Sequence, residues 1–178
     1  MATWACGQRW GRYPQLAEQR CWNHRLLNIL DAIPKKFQPE ASQLLRAMPY
    51  ADTQRECAAL QQQFRQRYYP LFPKAVERLE SDWERLVTFY QFPREHWVHL
   101  RTTNVVESPF AAVRLRTTAA KRFKKVENAT ALIWKLLLVA QSTFRKLKGT
   151  EVLPAVYAGV QYVDGANGPA GPHQRLAA

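Results

Sequence analysis

The chain of 178 residues is long enough for one domain, and its formal net charge of +12 at pH 7 makes it strongly basic. Hydrophobic residues make up 47% of the sequence, which suffices for a packed core and excludes wholesale disorder. No apolar run approaches the roughly 20 residues that a membrane span needs, and the N-terminus lacks the pattern of a signal peptide. The three cysteines are irregularly spaced and form no disulfide framework. We therefore expect a soluble cytoplasmic protein with no membrane partner.

The first half of the chain predicts a helical protein. Residues 1–15 have no regular pattern. Residues 16–34 are predicted to form a core helix, because apolar residues recur at helical spacing until Pro34 ends it. Further amphipathic helices are predicted over residues 39–48, 51–68 and 73–90.

The second half continues the helical pattern. Residues 99–148 form a basic helical region in which residues 126–147 are predicted to be the longest helix. Residues 149–165 form a C-terminal element, and the segment "YAGVQYV" (157–163) is either a helix end or a short strand. Residues 166–178 are rich in Gly, Pro and Ala, which is typical of a disordered tail. Because no segment convincingly predicts a sheet, the fold class is mostly α.

Positive charge is concentrated in one segment. Residues 101–148 hold 11 Lys and Arg against 2 Asp and Glu, whereas residues 1–100 hold 14 against 10. Such clustering is typical of a surface that binds a polyanion, although a solvated basic surface is the simpler alternative. Cations predicted to hold DNA phosphates are Arg101, Arg114, Arg116, Lys121, Arg122, Lys124 and Lys125.

Glu107, in "LRTTNVVESPF" (100–110), allows two interpretations. The simpler one is structural: Asn104 and Glu107 form a capping box, or Ser108 and Pro109 begin a helix and Glu107 lies just outside it. The functional alternative is that Glu107 is one of several carboxylates that hold divalent metal ions for phosphodiester chemistry. A lone acidic residue is common, so the residues alone favour the structural interpretation.

Two further groups of residues have a simple and a functional interpretation. Cys21 and His24 share a helix face and, with His96 and His99, could form a zinc site, but isolated pairs of this kind are more often structural, and zinc is not the favoured cofactor. Aromatic residues between cations can stack on bases, yet core packing is the favoured role of Trp22, Trp83, Trp97 and Trp134.

Three stretches resemble the Mutator-type transposases of bacterial insertion sequences. They are "EQRCWNHRLLNILDAIPK" (18–35), "FPREHWVHLRTTNVVESPFAAVRLRT" (92–117) and "VLPAVYAGVQYVDG" (152–165), and the resemblance covers roughly residues 14–165. Two separate motifs in the family's order and spacing make the match specific. The residues that carry it are Cys21, His24, Arg101, Asn104 and Glu107.

The resemblance implies an RNase H-like α/β catalytic core with a helical insertion, here residues 35–98. It implies that Glu107 is the third catalytic acid, beside two Asp, and a ligand of Mg²⁺ or Mn²⁺. Cys21 and His24 match the Cys-x-x-His block that follows the second Asp. The implied activity is metal-dependent cleavage and strand transfer of DNA at the ends of an insertion sequence.

The sequence also departs from this pattern. No Asp precedes Cys21, so the two family Asp have no counterpart in the chain. Pro109 is expected to kink a helix that begins at Asn104. We therefore expect a C-terminal fragment of a transposase that is inactive on its own, exposes apolar surface and is poorly soluble.

Three functions follow as hypotheses. The first is the C-terminal half of a DNA transposase, which associates with DNA and with itself or full-length copies. The second is a basic DNA-binding protein without catalysis. The third is a helical interaction module stabilised by zinc.

Overall fold

The computed structural model describes residues 17–144 and 146–168, which are mostly helical. The α-helices of this part are α1 (Trp22–Leu30), α2 (Gln38–Ala47), α3 (Gln54–Tyr68), α4 (Pro73–Glu80), α5 (Trp83–Val87), α6 (Trp97–Leu100), α7 (Asn104–Ala119), α8 (Val126–Gln141) and α9 (Leu153–Tyr157). An antiparallel hairpin pairs β1 (Tyr162–Val163) with β2 (Ala166–Asn167). The prediction of a mostly α protein is confirmed. Within the described residues this hairpin is the whole of the sheet structure, and it does not amount to an RNase H-like core.

The chain divides into two compact units. Among the described residues, we call 17–20 and 25–89 the helical unit, and 21–24, 90–144 and 146–168 the C-terminal unit. Helix α1 begins in the C-terminal unit and continues in the helical unit. The unpatterned residues 1–15 lie outside the described part of the chain.

Helix α3 shows how the sequence builds the helical unit. The hydroxyl of Thr53 accepts from the main-chain N–H of Glu56, and the Glu56 carboxylate accepts from the N–H of Asp52, so the helix start is capped from both sides. Every third or fourth residue of α3 is then buried, as the helical repeat requires. The buried residues are Cys57, Gln61, Phe64 and Tyr68.

The prediction of one continuous helix over residues 73–90 is wrong in one respect, because the structure has a break at residues 81–82. Asp82 has a non-helical backbone, with φ of −119° and ψ of 13°. Its carboxylate lies 2.7 Å from Nη2 of Arg25 and 3.1 Å from Nε of Arg20. The same Arg25 nitrogen donates to the hydroxyl of Ser81 at 2.7 Å. A buried ion pair therefore takes the place of the continuing helix.

Other boundaries differ by less. Helix α1 begins at Trp22 rather than at residue 16, and α8 ends at Gln141 rather than at residue 147. Helix α8 is also no longer than α7, since each has 16 residues. Residues 157–163 combine both alternatives, because α9 ends at Tyr157 and β1 begins at Tyr162.

Two glycines attach the C-terminal element to residues 90–97. Gly149 has a φ of +68°, and its carbonyl accepts from Nε2 of His96 at 2.9 Å. Gly165 has a φ of +80°, and a Cβ there would lie 2.8 Å from the Cβ of Arg94. Both conformations favour glycine. The tail predicted to be disordered from residue 166 begins instead with β2, while residues 169–178 lie outside the described residues.

The tryptophans divide by position. Trp22 and Trp97 are each 2% exposed, which confirms core packing, and Trp83 is half-buried. The prediction of core packing is wrong for Trp134, which is 64% exposed on α8, a helix with no buried side chain.

Among the described helices, none has both the length and the apolar character to cross a bilayer.

Candidate active site and basic surface

Glu107 lies in the first turn of α7, which begins at Asn104. The prediction of a capping box between Asn104 and Glu107 is wrong, because the N-cap position is held by Thr103, whose side chain makes no capping hydrogen bond to the main chain. The carbonyl of Thr103 accepts from the main-chain N–H of Glu107 at 3.0 Å, and its hydroxyl donates to Oε1 of Glu107. A helix start at Ser108 is also wrong, since α7 continues through Pro109 to Ala119.

The two motifs that resemble transposases meet in the C-terminal unit. The main-chain N–H of Trp22 donates to the carbonyl of Arg101 at 3.0 Å. The amide of Asn23 donates to Oδ1 of Asn104 at 3.2 Å. Residues that are about 80 positions apart in the sequence thus form one local structure around the start of α7.

Thr103 is at the centre of this structure. Its hydroxyl oxygen lies 3.3 Å from Sγ of Cys21 and 3.5 Å from Nδ1 of His24, in addition to its bond with Glu107. Nε2 of His24 lies 3.7 Å from Oε1 of Glu107. The structure therefore brings Cys21, His24 and Glu107 together, and Thr103 contacts all three.

The same contacts act on the Cys21 thiol. Burial raises the pKa of Cys21, but hydrogen bonds from Thr103 and His24 outweigh that effect, and the pKa lies below its usual value. The main-chain N–H groups of His24 and Thr103 contribute to this lowering. Cys21 also immediately precedes α1, and the N-terminus of a helix favours a negatively charged sulfur.

Glu107 is accessible from solvent. Its side chain is about half exposed, and it lines an open groove of about 810 Å³ between α7 and α8. Asn104, Ser108 and Arg116 line the same groove from α7. Carboxylate, amide and hydroxyl oxygens at the start of α7 suit a hard cation, whereas Arg116, more than two turns further along the helix, suits a phosphate group.

The donors for a complete metal centre are not assembled in the described residues. No group of three His, Cys, Asp or Glu lies close enough there to hold an ion. The ring of His96 is bonded to the carbonyl of Gly149, and Nε2 of His99 accepts from the main-chain N–H of Lys148 at 3.0 Å. The four residues considered for zinc therefore do not converge. As an oxygen ligand, Glu107 fits Mg²⁺ or Mn²⁺, but it supplies only one carboxylate.

The predicted phosphate contacts fall into two groups. Arg101 is half-buried, and its Nε donates to the carbonyl of Trp97 at 3.2 Å. The other predicted cations are all exposed, on α7 or on the turn before α8: Arg114, Arg116, Lys121, Arg122, Lys124 and Lys125. These six residues, which we call the basic face, can approach a polyanion from solvent.

Comparison with known proteins identifies the family. The model of the family described as "Transposase, Mutator family" matches residues 11–146, which is most of the chain. The chain belongs to the Mutator family of transposases. The matched residues include both motifs around Glu107 as well as the basic face.

Curated transposases of insertion sequences are similar along most of the chain. The transposase for insertion sequence element IST2 of Acidithiobacillus ferrooxidans is 38% identical over 153 residues, or 86% of this chain and 52% of the relative. The transposase for IS6120 of Mycolicibacterium smegmatis is 35% identical over 86% of this chain and 47% of the relative. The chain thus spans about half the length of these relatives. No solved structure matches it significantly.

The sequence analysis missed Thr103 as a residue of the site. Thr103 stands beside Asn104 in the motif, and an N-terminal helix position favours Thr for its side-chain oxygen. That signal indicates a cap, whereas contact with Cys21 and His24 depends on the fold.

Proposed function

We propose that this chain contributes the third carboxylate and a DNA-holding surface to a DNA transposase. Glu107 would be a ligand of Mg²⁺ or Mn²⁺, and the basic face would hold the ends of an insertion sequence for cleavage and strand transfer. The observation that carries this proposal is the contact of Glu107 with the Cys-x-x-His block through Thr103. It unites the two motifs that define the resemblance.

The presence of a single carboxylate at this position, in the described part of the chain, also limits the activity of the isolated chain. A two-metal site for phosphodiester chemistry needs several carboxylates, and the described residues bring only Glu107 to this position. An RNase H-like core, with residues 35–98 as its helical insertion, would supply the others. We therefore propose that the isolated chain binds DNA without cutting it.

Salt dependence of DNA binding tests the basic face. If about six phosphates are neutralised, the logarithm of the affinity falls with the logarithm of the salt concentration at a slope of about −5. Replacing Lys121, Arg122, Lys124 and Lys125 with Ala should make the slope shallower by about 3 to 4. The matched control replaces four exposed cations of the helical unit, Lys35, Lys36, Arg46 and Arg55, and so removes the same charge. Equal losses in the two variants, or a flat salt response, would exclude a dedicated DNA surface.

Mn²⁺ tests the role of Glu107 as a metal ligand. A bound paramagnetic ion broadens the NMR signals of nearby nuclei, so residues 103–107 should broaden first during a titration. Glu107→Gln should remove this effect. Glu127→Gln removes an exposed carboxylate from the first turn of α8 and should leave the effect unchanged. Broadening that persists in Glu107→Gln would contradict the assignment.

The chain is also proposed to associate with copies of itself or with full-length transposase. Helix α8 carries exposed apolar side chains, including Val126, Trp134, Leu138 and Val139. An apolar surface of this kind is typical of a region that another protein surface covers.

A further inference from the structure

The turn between α7 and α8 combines cations with an exposed aromatic ring. It comprises residues 120–125, and its sequence "AKRFKK" places Phe123 between two cations on each side. Phe123 is 36% exposed, and all four cations of the turn are exposed. The four cations belong to the basic face, which accounts for their exposure to solvent. The basic face gives no reason for an exposed phenylalanine among them.

The backbone holds the turn in a defined conformation. Lys121 has a φ of +56°, a left-handed conformation that non-glycine residues seldom adopt and that ends a helix. The N–H of Lys121 donates to the carbonyl of Thr118 at 3.2 Å, and the N–H of Arg122 donates to the carbonyl of Ala120 at 2.6 Å. Phe123 is thus presented on a short connection between two 16-residue helices rather than on a long loop.

We propose that Phe123 stacks on an unpaired or unstacked base while the adjacent cations hold the neighbouring phosphates. Every base has a π-face, so such stacking is tolerant of sequence, whereas bases inside an intact duplex are already stacked on one another. The turn should therefore prefer DNA that has a gap, a single-stranded overhang or an opened base step. This inference rests on the proposed function, because strand cleavage and transfer produce DNA of that kind.

The charges favour DNA over a membrane surface as the partner. A residue that anchors a protein in a bilayer belongs to an extended apolar face, whereas the turn offers one ring among four cations. A cation on either side of the ring suits a polymer in which bases and phosphates alternate. Binding to vesicles of anionic phospholipid tests whether a membrane surface is the partner instead.

The test measures binding of the whole chain to intact duplex, to the same duplex with a gap of several nucleotides, and to anionic vesicles. Wild type should bind the gapped DNA about 5- to 150-fold more tightly than the duplex, the usual contribution of one base stacked on an aromatic ring. Phe123→Ala should abolish that preference and leave duplex binding unchanged. Phe123→Trp should retain it.

Phe110→Ala is the matched control, since Phe110 is a more exposed phenylalanine, at 50%, on the adjoining helix α7. It should leave the preference for gapped DNA intact. The inference is overturned if Phe123→Ala keeps the preference, if both phenylalanine variants lose it equally, or if Phe123→Ala weakens vesicle binding alone. Failure of the proposed function would look different in this experiment, because wild type would then show no salt-sensitive binding to any of the DNAs.

Discussion

At the scale of single residues, the Thr103 hydroxyl lies within hydrogen-bond distance of two acceptors but has one proton to donate. It is placed to donate to Oε1 of Glu107 and to Sγ of Cys21, yet a hydroxyl has a single hydrogen to donate. The environment of the Cys21 sulfur therefore depends on how Thr103 bonds to Glu107. Removing the hydroxyl separates this effect from the main-chain hydrogen bonds.

Thr103→Val should raise the pKa of Cys21. Burial already raises it, and valine keeps the bulk of threonine while removing one of the hydrogen bonds that lower it. The Cys21 thiol should therefore lose its proton at a higher pH in the variant. The ¹³Cβ chemical shift of each cysteine, followed against pH by NMR, measures this change.

The controls for this experiment lie within the same chain. Thr103→Ser retains the hydroxyl and should keep the pKa of Cys21 as it is in wild type. Thr117→Val removes a hydroxyl that bonds to the carbonyl of Val113 on the same helix, and it should have no effect on Cys21. A Cys21 pKa that is unchanged in Thr103→Val would show that the main-chain N–H groups act alone.

The resemblance to the family singled out the residues of this site, but it did not predict how they touch. Two motifs identified Cys21, His24 and Glu107 from their residue types and order. The central position of Thr103 could not be predicted, because it depends on the approach of residues 21–24 to the start of α7. The local sequence indicates only that Thr103 stands at the start of a helix. Tertiary packing determines which side chains its hydroxyl contacts.

At the scale of elements, the break between α4 and α5 is the main departure from the helical pattern. The apolar spacing of residues 73–90 predicted most of the buried face, since Val76, Leu79, Leu86 and Val87 are buried, whereas Trp83 is only half-buried. At the break, the carboxylate of Asp82 pairs with Arg25 and Arg20, which come from far earlier in the chain. The apolar periodicity of residues 73–90 contains no information about ion-pair partners from other parts of the chain.

Asp82→Asn should lower the free energy of unfolding by about 3 to 5 kcal/mol. The side chains of Arg25 and Asp82 are only 9% and 10% exposed, so removal of the carboxylate charge leaves Arg25 buried without a counter-ion. Urea denaturation followed by circular dichroism measures the loss. It should appear as a lower midpoint with little change in slope.

An exposed ion pair of the same unit provides the comparison for Asp82. Glu80 lies 3.0 Å from Arg65, and both side chains reach solvent. Glu80→Gln makes the same acid-to-amide change and should cost less than about 1 kcal/mol. If the two variants lost equal stability, burial of the Arg25–Asp82 pair would not increase its contribution to stability.

At the scale of the whole molecule, the two units differ in how they bury apolar side chains. Many core residues of the helical unit are less than 1% exposed, including Leu79, Leu86 and Phe64. Helix α8 buries none of its side chains, although its sequence is the most apolar run of the chain. The exposed apolar side chains of α8 agree with the expectation that the fragment exposes apolar surface, and poor solubility remains a prediction.

The exposed face of α8 should make the isolated chain associate. Trp134 and Leu138 lie one turn apart on this face and are 64% and 43% exposed. Their removal from water stabilises a complex with any apolar surface, including a second α8. Size-exclusion chromatography with light scattering should therefore give a mass above the 20.6 kDa of one chain, increasing with concentration.

Paired substitutions decide whether α8 is responsible for that association. Trp134→Gln with Leu138→Gln should shift the chain towards the mass of a monomer. Leu27→Gln with Leu71→Gln changes two leucines of the helical unit that are 59% and 61% exposed, and it should leave association unchanged. A wild-type chain that elutes as a single monomer and melts cooperatively would contradict the prediction. It would show that the α7–α8 hairpin is stable in water with its apolar face uncovered.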